Sequence, residues 1–168
     1  RRFYFMALGL LTCAVFSKTA TSTQPVVFMI LLAWKNGRIK PQDIYLLLPF
    51  LGVSLFASLA SFRFEEINNA FEGIEFPWTF LERCLIAGQA LWFYLGKLLM
   101  PVNLMPIYPR WEIDAGNAGQ WFALLSMLTL LAGAWFLRKR LGTAPLIGLL
   151  FFVVTLFPML GFFNIAFF

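Results

Sequence analysis

Long apolar runs, interrupted by short polar or basic stretches, pattern this chain from end to end. Apolar residues dominate 3–16, 26–34, 43–62, 78–100, 120–137 and 143–160. Stretches such as 141–163 are apolar on every face, whereas a strand of an outer-membrane barrel alternates apolar and polar positions. The pattern therefore predicts helices. A helix crossing a hydrocarbon layer of about 30 Å needs about 20 residues, and several of these runs approach that length. We expect an all-α, polytopic integral membrane fold forming a single membrane domain over residues 1–168.

The first two runs flank a polar stretch, Ser17-Lys18-Thr19-Ala20-Thr21-Ser22-Thr23-Gln24-Pro25. One unbroken helix would hold Lys18 near mid-membrane, at a cost of about 2.5–3.5 kcal/mol, and Pro25 would interrupt its hydrogen bonds. A helical hairpin is expected instead. Both arms are short for full spans, so the polar turn should lie somewhat below the membrane surface. A span over about 43–62 follows, with Pro49 as its kink site, and then a polar loop over 63–77. Clear spans are expected over about 120–137 and 143–160.

Charge orients these elements. Arg1-Arg2, the group Lys35, Arg38 and Lys40, and the group Arg138, Lys139 and Arg140 all flank apolar runs, and such clusters face the cytoplasm. With both later groups inside, the span from Asp43 exits and the span from Gln120 returns. The segment between Trp78 and Met100 must then start and end outside. It is expected to be one interfacial or re-entrant helix beside about five transmembrane helices, with Glu82, Gln89 and Lys97 near one stripe.

Composition narrows the function classes. The chain is 61% hydrophobic and 12% charged, with a mean hydropathy of +0.80, too apolar for a soluble domain of ordinary composition. The net charge of +5 sits in clusters at the ends of apolar runs, so it reads as topology and not as a nucleic-acid surface. The chain has no histidine, which excludes histidine-based general bases and zinc sites within it. Cys13 and Cys84 form neither a metal motif nor a disulfide framework and are expected to be packing residues. The chain opens on Arg1 and stops within an apolar stretch. We expect it to be a fragment of a longer chain, set in a bacterial inner membrane among membrane lipids and other membrane subunits.

The expected topology collects the unusual polar residues on the outer face. Lys18, among serine and threonine hydroxyls, offers charge and oriented donors to a phosphate. Taken alone it reads rather as a snorkelling lysine in a hairpin turn. The stretch 97–114 contains three prolines, Pro101, Pro106 and Pro109, which pre-extend the loop. There Arg110 could clamp a diphosphate or phosphosugar, and Glu112 and Asp114 offer oxygen ligands for a divalent cation or a carboxylate base. The alternative is an interfacial loop anchored by Tyr108 and Trp111, with Arg110 paired to Glu112 or Asp114. Glu65, Glu66, Glu72 and Glu75 lack a ligand spacing and read as a solvated acidic loop.

An ordered series of motifs carries a family resemblance: Ser17-Lys18-Thr19-Ala20-Thr21 before Pro25, the segment from Glu82-Arg83-Cys84 to Gly96-Lys97-Leu98, Ile107-Tyr108-Pro109-Arg110-Trp111, and Thr155-Leu156-Phe157-Pro158 followed by Gly161-Phe162-Phe163-Asn164. The series resembles the later part of the membrane domain of bacterial tetratricopeptide-repeat-containing O-mannosyltransferase-like proteins, in the GT-C glycosyltransferase superfamily. The resemblance implies transfer of a sugar from a polyprenyl-phosphate carrier to an acceptor on the extracytoplasmic side. It further implies that Lys18, Arg83, Lys97 and Arg110 hold the lipid-linked phosphate. The catalytic acid of such enzymes lies in a first outer loop upstream of this stretch. A non-catalytic accessory subunit, packed in a larger respiratory or photosynthetic assembly, is the reading from another class.

Overall fold

A computed structural model describes residues 2–72, 78–105, 108, 111 and 113–162, with the backbone alone at 65, 66 and 68–72. Every regular element among them is helical: α1 (Arg2–Ser17), a 3-10 turn (Thr19–Thr23), α2 (Gln24–Asn36), α3 (Pro41–Glu72), α4 (Phe80–Leu99), α5 (Ala118–Leu141) and α6 (Ala144–Leu156), which tightens into a second 3-10 turn (Phe157–Met159). Two of these helices are long and apolar enough to cross a membrane, over Pro41–Phe64 and Ala118–Leu141. Only 22% and 6% of their apolar windows are buried. A core helix of a soluble protein hides such a window, whereas Phe122, Trp135 and Phe136 of α5 point outward. Arg2–Ser17 and Ala144–Met159 are apolar but shorter.

Local chemistry accounts for the helix limits. Pro25 falls in the first turn of α2, where its missing N–H costs nothing. Gly37 ends that helix at φ 70°, a left-handed cap that glycine takes without strain. Thr79 and Glu82 start α4 with a reciprocal capping box. One expectation is corrected here: residues 63–72 do not form a loop but continue α3, which runs unbroken through Pro49 to Glu72. Ala70 and the glutamates at 65, 66 and 72 favour helix locally, and polarity alone does not end one. Glu65, Glu66 and Glu72 thus lie on a helix, while Glu75 falls outside the described residues.

The bundle has two packed parts. In the first, Leu11 and Val15 of α1 pack on Phe50 and Ala57 of α3, and the Tyr4 hydroxyl donates to the Leu46 carbonyl at 2.8 Å. These pairs make α1 and α3 parallel. Between them in sequence α2 runs back, with the rings of Phe28 and Phe50 in edge contact at 6.2 Å. In the second part, Ala87, Ala90 and Leu91 of α4 pack on Met127 of α5 and on Leu160 beyond α6. The parts join where α2 meets α6, and there the Trp34 indole donates to the Thr143 hydroxyl at 3.1 Å. That bond brings the end of α2, with Lys35, beside the turn that follows Arg138, Lys139 and Arg140. Cys13 is exposed on α1 rather than packed inside, and Cys84 is half-buried.

The tightest contact is at Gly88. A Cβ there would meet the Leu124 Cα at 2.7 Å and its backbone nitrogen at 2.9 Å, and backbone atoms have no rotamer with which to yield. Gly133 on α5 has nothing within 4 Å of the same position. Gly88→Ala should therefore destabilise the purified protein by about 1–3 kcal/mol through overpacking. Gly133→Ala should be neutral or stabilising by up to about 1 kcal/mol. Thermal unfolding in detergent checks the pair, and equal melting temperatures for the two variants would contradict the close α4–α5 approach.

Candidate functional site

The polar turn Thr19–Thr23 packs against α1, α2, α3, α6 and the second 3-10 turn, and all five of its residues are half-buried. Lys18 caps it in an extended conformation. The Lys18 carbonyl accepts from the Thr21 N–H at 3.0 Å and the Thr21 hydroxyl at 2.9 Å. Its side chain is exposed and engages no hydrogen-bond or ring partner among the described residues. An ammonium at the rim of a hydroxyl-rich, half-buried turn keeps its donors available for an anion.

Three buried hydroxyls extend this polarity inward. The side-chain oxygens of Thr23, Ser54 and Thr155 are buried without a hydrogen-bond partner. Their depths coincide. The Phe28–Phe50 contact between antiparallel α2 and α3 sets Thr23 level with Ser54, and the Trp34–Thr143 bond between antiparallel α2 and α6 sets Thr23 level with Thr155, each to within about one helical turn. Lys18 stands about 9 Å further toward the hairpin tip, as the parallel packing of α1 on α3 requires. Sequence reasoning missed Ser54 and Thr155. Ser54 carried a usable signal: it interrupts the stripe Leu47, Phe50 and Ala57, all of which are buried, at the spacing of a helix seam.

Arg83 lies at the same end of the bundle. Its Nη1 donates to the Gly161 carbonyl at 3.0 Å and the Phe162 carbonyl at 3.2 Å, and its Nε to the Trp78 carbonyl at 3.3 Å. Gly161 has φ +85°, and a Cβ there would strike Ile86 at 2.9 Å. The chain beyond α6 thus needs glycine to turn its carbonyls onto Arg83. Glu82, next to it, accepts from the Thr79 N–H at 2.7 Å and the Thr79 hydroxyl at 2.8 Å. Those two bonds, the backbone one foremost, hold its carboxyl below the ordinary value of 4.5. Because the folded value is the lower one, the cap stabilises α4 fully above that ordinary value and is lost as pH falls through the depressed one.

Lys97 is drawn into its own loop. Its Nζ donates to the Val102 carbonyl at 2.7 Å and the Asn103 carbonyl at 3.3 Å. It also lies 5.6 Å from the Phe93 ring centre and 5.5 Å from that of Tyr108. The Tyr108 and Trp111 rings both meet Phe93 edge-on, at 4.9 and 5.4 Å. This aromatic cage pins the loop against α4. Asp114 Oδ1 accepts from the Gly116 N–H at 2.8 Å, and the Asp114 carbonyl accepts from the Asn117 N–H at 3.0 Å, a turn that delivers the chain to α5. Arg110 and Glu112 lie outside the described residues. Among the described residues no three Asp, Glu or Cys side chains gather where a metal ion could bind.

The structure therefore places Lys18 and Arg83 at one end of the bundle, the first turned outward and the second committed to backbone carbonyls. Comparison of the chain with protein-family models, curated proteins and solved structures finds no match. The geometry of Arg83 yields a direct expectation. Arg83→Met removes every donor offered to Gly161 and Phe162, so thermal unfolding should show a loss of about 1.5–3 kcal/mol, the worth of charge-assisted hydrogen bonds, with Arg83→Lys recovering part of it. An unchanged melting temperature for Arg83→Met would deny the staple between α4 and the chain after α6.

Proposed function

We propose that the chain is part of a membrane glycosyltransferase that takes a sugar from a polyprenyl-phosphate carrier, and that its hairpin end holds the carrier's phosphate. The observation that carries this reading is Lys18, an uncommitted ammonium at the rim of a half-buried serine- and threonine-rich turn. A phosphate departing from a sugar gains charge, and a preplaced cation stabilises that charge most where water is scarce. Arg83 and Lys97 act at one remove, holding α4 and its loop in place through backbone carbonyls. Arg110, Glu112 and Asp114 are the proposed contributors from the loop before α5. The motif resemblance described above supplies the reaction class, and the catalytic acid would come from a preceding part of the longer protein.

In this reading α1, α2, α3, α5 and α6 are the five crossings and α4 stays at the outer side. With 16 and 13 residues, α1 and α2 span about 24 and 20 Å, short of a hydrocarbon layer of about 30 Å, which recesses the turn. The basic end faces the cytoplasm of a bacterial inner membrane. The outward phenylalanines of α5 favour a second reading, in which the chain is an accessory subunit whose apolar faces are covered by other membrane helices.

Two measurements decide. In the full-length protein, Lys18→Ala should lower sugar transfer from a polyprenyl-phosphate donor by about 10²-fold or more, with Lys18→Arg recovering part and Lys139→Ala changing little. Unaltered transfer in Lys18→Ala removes that residue from the site. A wild-type protein with no transferase activity leaves the accessory reading. Separately, single cysteines at Gly142 and Asn103, in a background lacking Cys13 and Cys84, should label from opposite sides of the membrane. Labelling from one side would refute the five-crossing topology.

A further inference from the structure

At the opposite end from the polar turn, a cleft of about 420 Å³ opens beside Leu31, Trp34 and Lys35 of α2. These positions share one helix face, and the lining is almost wholly apolar apart from the lysine. Trp34 is fixed there by its bond to Thr143 at the start of α6. The same bond brings the α5–α6 turn, with Arg138, Lys139 and Arg140, to the neighbourhood of Lys35.

The charges around this cleft are strongly one-sided. Segments 35–43 and 138–143 contain Lys35, Arg38, Lys40, Arg138, Lys139 and Arg140 against a single carboxylate, Asp43. Asp43 is already engaged, its Oδ2 accepting from the Lys40 backbone N–H at 3.1 Å. Arg138 lies over the Trp135 ring, 3.7 Å from its centre, which fixes one cation without neutralising it. An apolar cleft with an ammonium at its mouth, an indole in its wall and unneutralised cations around it matches one molecule best: a lipid with an anionic headgroup. The acyl chain fills the apolar part, the indole lies at the headgroup level where tryptophan concentrates, and the phosphate meets Lys35.

We propose that this cleft is a binding site for an anionic phospholipid, with Leu31 and Trp34 seating the acyl chain and Lys35 holding the phosphate. The site is separate from the polyprenyl-phosphate end and does not depend on the chain being an enzyme. It would tie the junction of α2 and α6, where the two packed parts of the bundle meet at this end, to the composition of the membrane.

The test uses the full-length protein in detergent, with phosphatidylglycerol and phosphatidylcholine as probes and retained lipid counted by native mass spectrometry. Phosphatidylglycerol should be retained in preference to phosphatidylcholine. Lys35→Ala should weaken that retention about fivefold, the effect of one cation at an anionic headgroup, while Lys139→Ala, outside the cleft, should weaken it less. Leu31→Asn should reduce retention of both lipids by spoiling the acyl seat. Inorganic phosphate at matched concentration should not displace the lipid, because it leaves the apolar cleft empty. Equal retention of the two lipids overturns the proposal. So does an equal loss for Lys35→Ala and Lys139→Ala, which would mean a diffuse attraction to the basic end and no built site.

Discussion

An α-helix satisfies its own backbone except at its ends, where four N–H and four C=O groups are left over. In surroundings without water those leftovers must find partners within the protein. Much of the polar chemistry in this bundle answers that constraint. Glu82 and Thr79 close the start of α4, and Lys97 gathers the Val102 and Asn103 carbonyls just past its end. Arg83 collects the carbonyls of Gly161 and Phe162 after α6. The Asn117 side chain accepts from the Gly119 N–H at the start of α5. The starts of α4 and α5 are thus closed by short polar side chains, and the chain just beyond α4 and α6 is held by two long cationic ones.

The same constraint sorts the cations that sequence patterning grouped together. Arg83, Lys97 and Lys18 all looked alike as positive charges on one face of the expected topology. In the folded chain the guanidinium of Arg83 and the ammonium of Lys97 serve backbone carbonyls, and to turn Arg83 toward a ligand would leave part-buried oxygens unpaired at about 1–3 kcal/mol apiece. Lys18 faces no such cost. Its backbone carbonyl, not its side chain, organises the turn. A distinction between a cation that shapes a site and one that can contact a ligand thus follows from which hydrogen bonds each has already made.

Among the described residues the all-helical class and the order of the helices were legible in the sequence, because apolar runs and their polar breaks encode them directly. The hairpin at Lys18, the helix over Phe80–Leu99 and the paired helices after Gln120 all appear near their expected limits. The end of α3 was not legible, since its last turns are polar yet contain no residue that stops a helix. Gly88 was visible as a residue but not as a contact, for its meaning depends on Leu124 lying 36 positions later. The carbonyls held by Arg83 are similarly remote, 78 and 79 positions along the chain. The cage around Lys97 depends on a proline-rich loop folding back upon α4, and no local pattern announces that return. Arg110 and Glu112, the loop's most suggestive residues in sequence, fall outside the described structure.

Depth in the bundle orders what remains. Buried charge is far costlier than buried hydroxyl, because an ion surrenders much more hydration and asks for a counterion. The chain respects that order. Lys18 stands at the rim, and Thr23, Ser54 and Thr155 share a level about 9 Å inward. Aromatic and aliphatic contacts such as Phe28 on Phe50 follow below, and cations return at the far end, with Lys35 and Arg138 to either side of the Trp34–Thr143 bond. Neutral hydroxyls are the polar groups that an interior level can hold without a compensating charge. Each nevertheless favours a partner, so a level holding three of them, joined to a rim with one uncommitted cation, is where an incoming polar group would replace missing hydrogen bonds instead of breaking existing ones. The opposite end offers charge without such a layer, set over an apolar cleft. The two ends therefore differ in chemistry, and the difference comes from where hydroxyls, not charges, were placed.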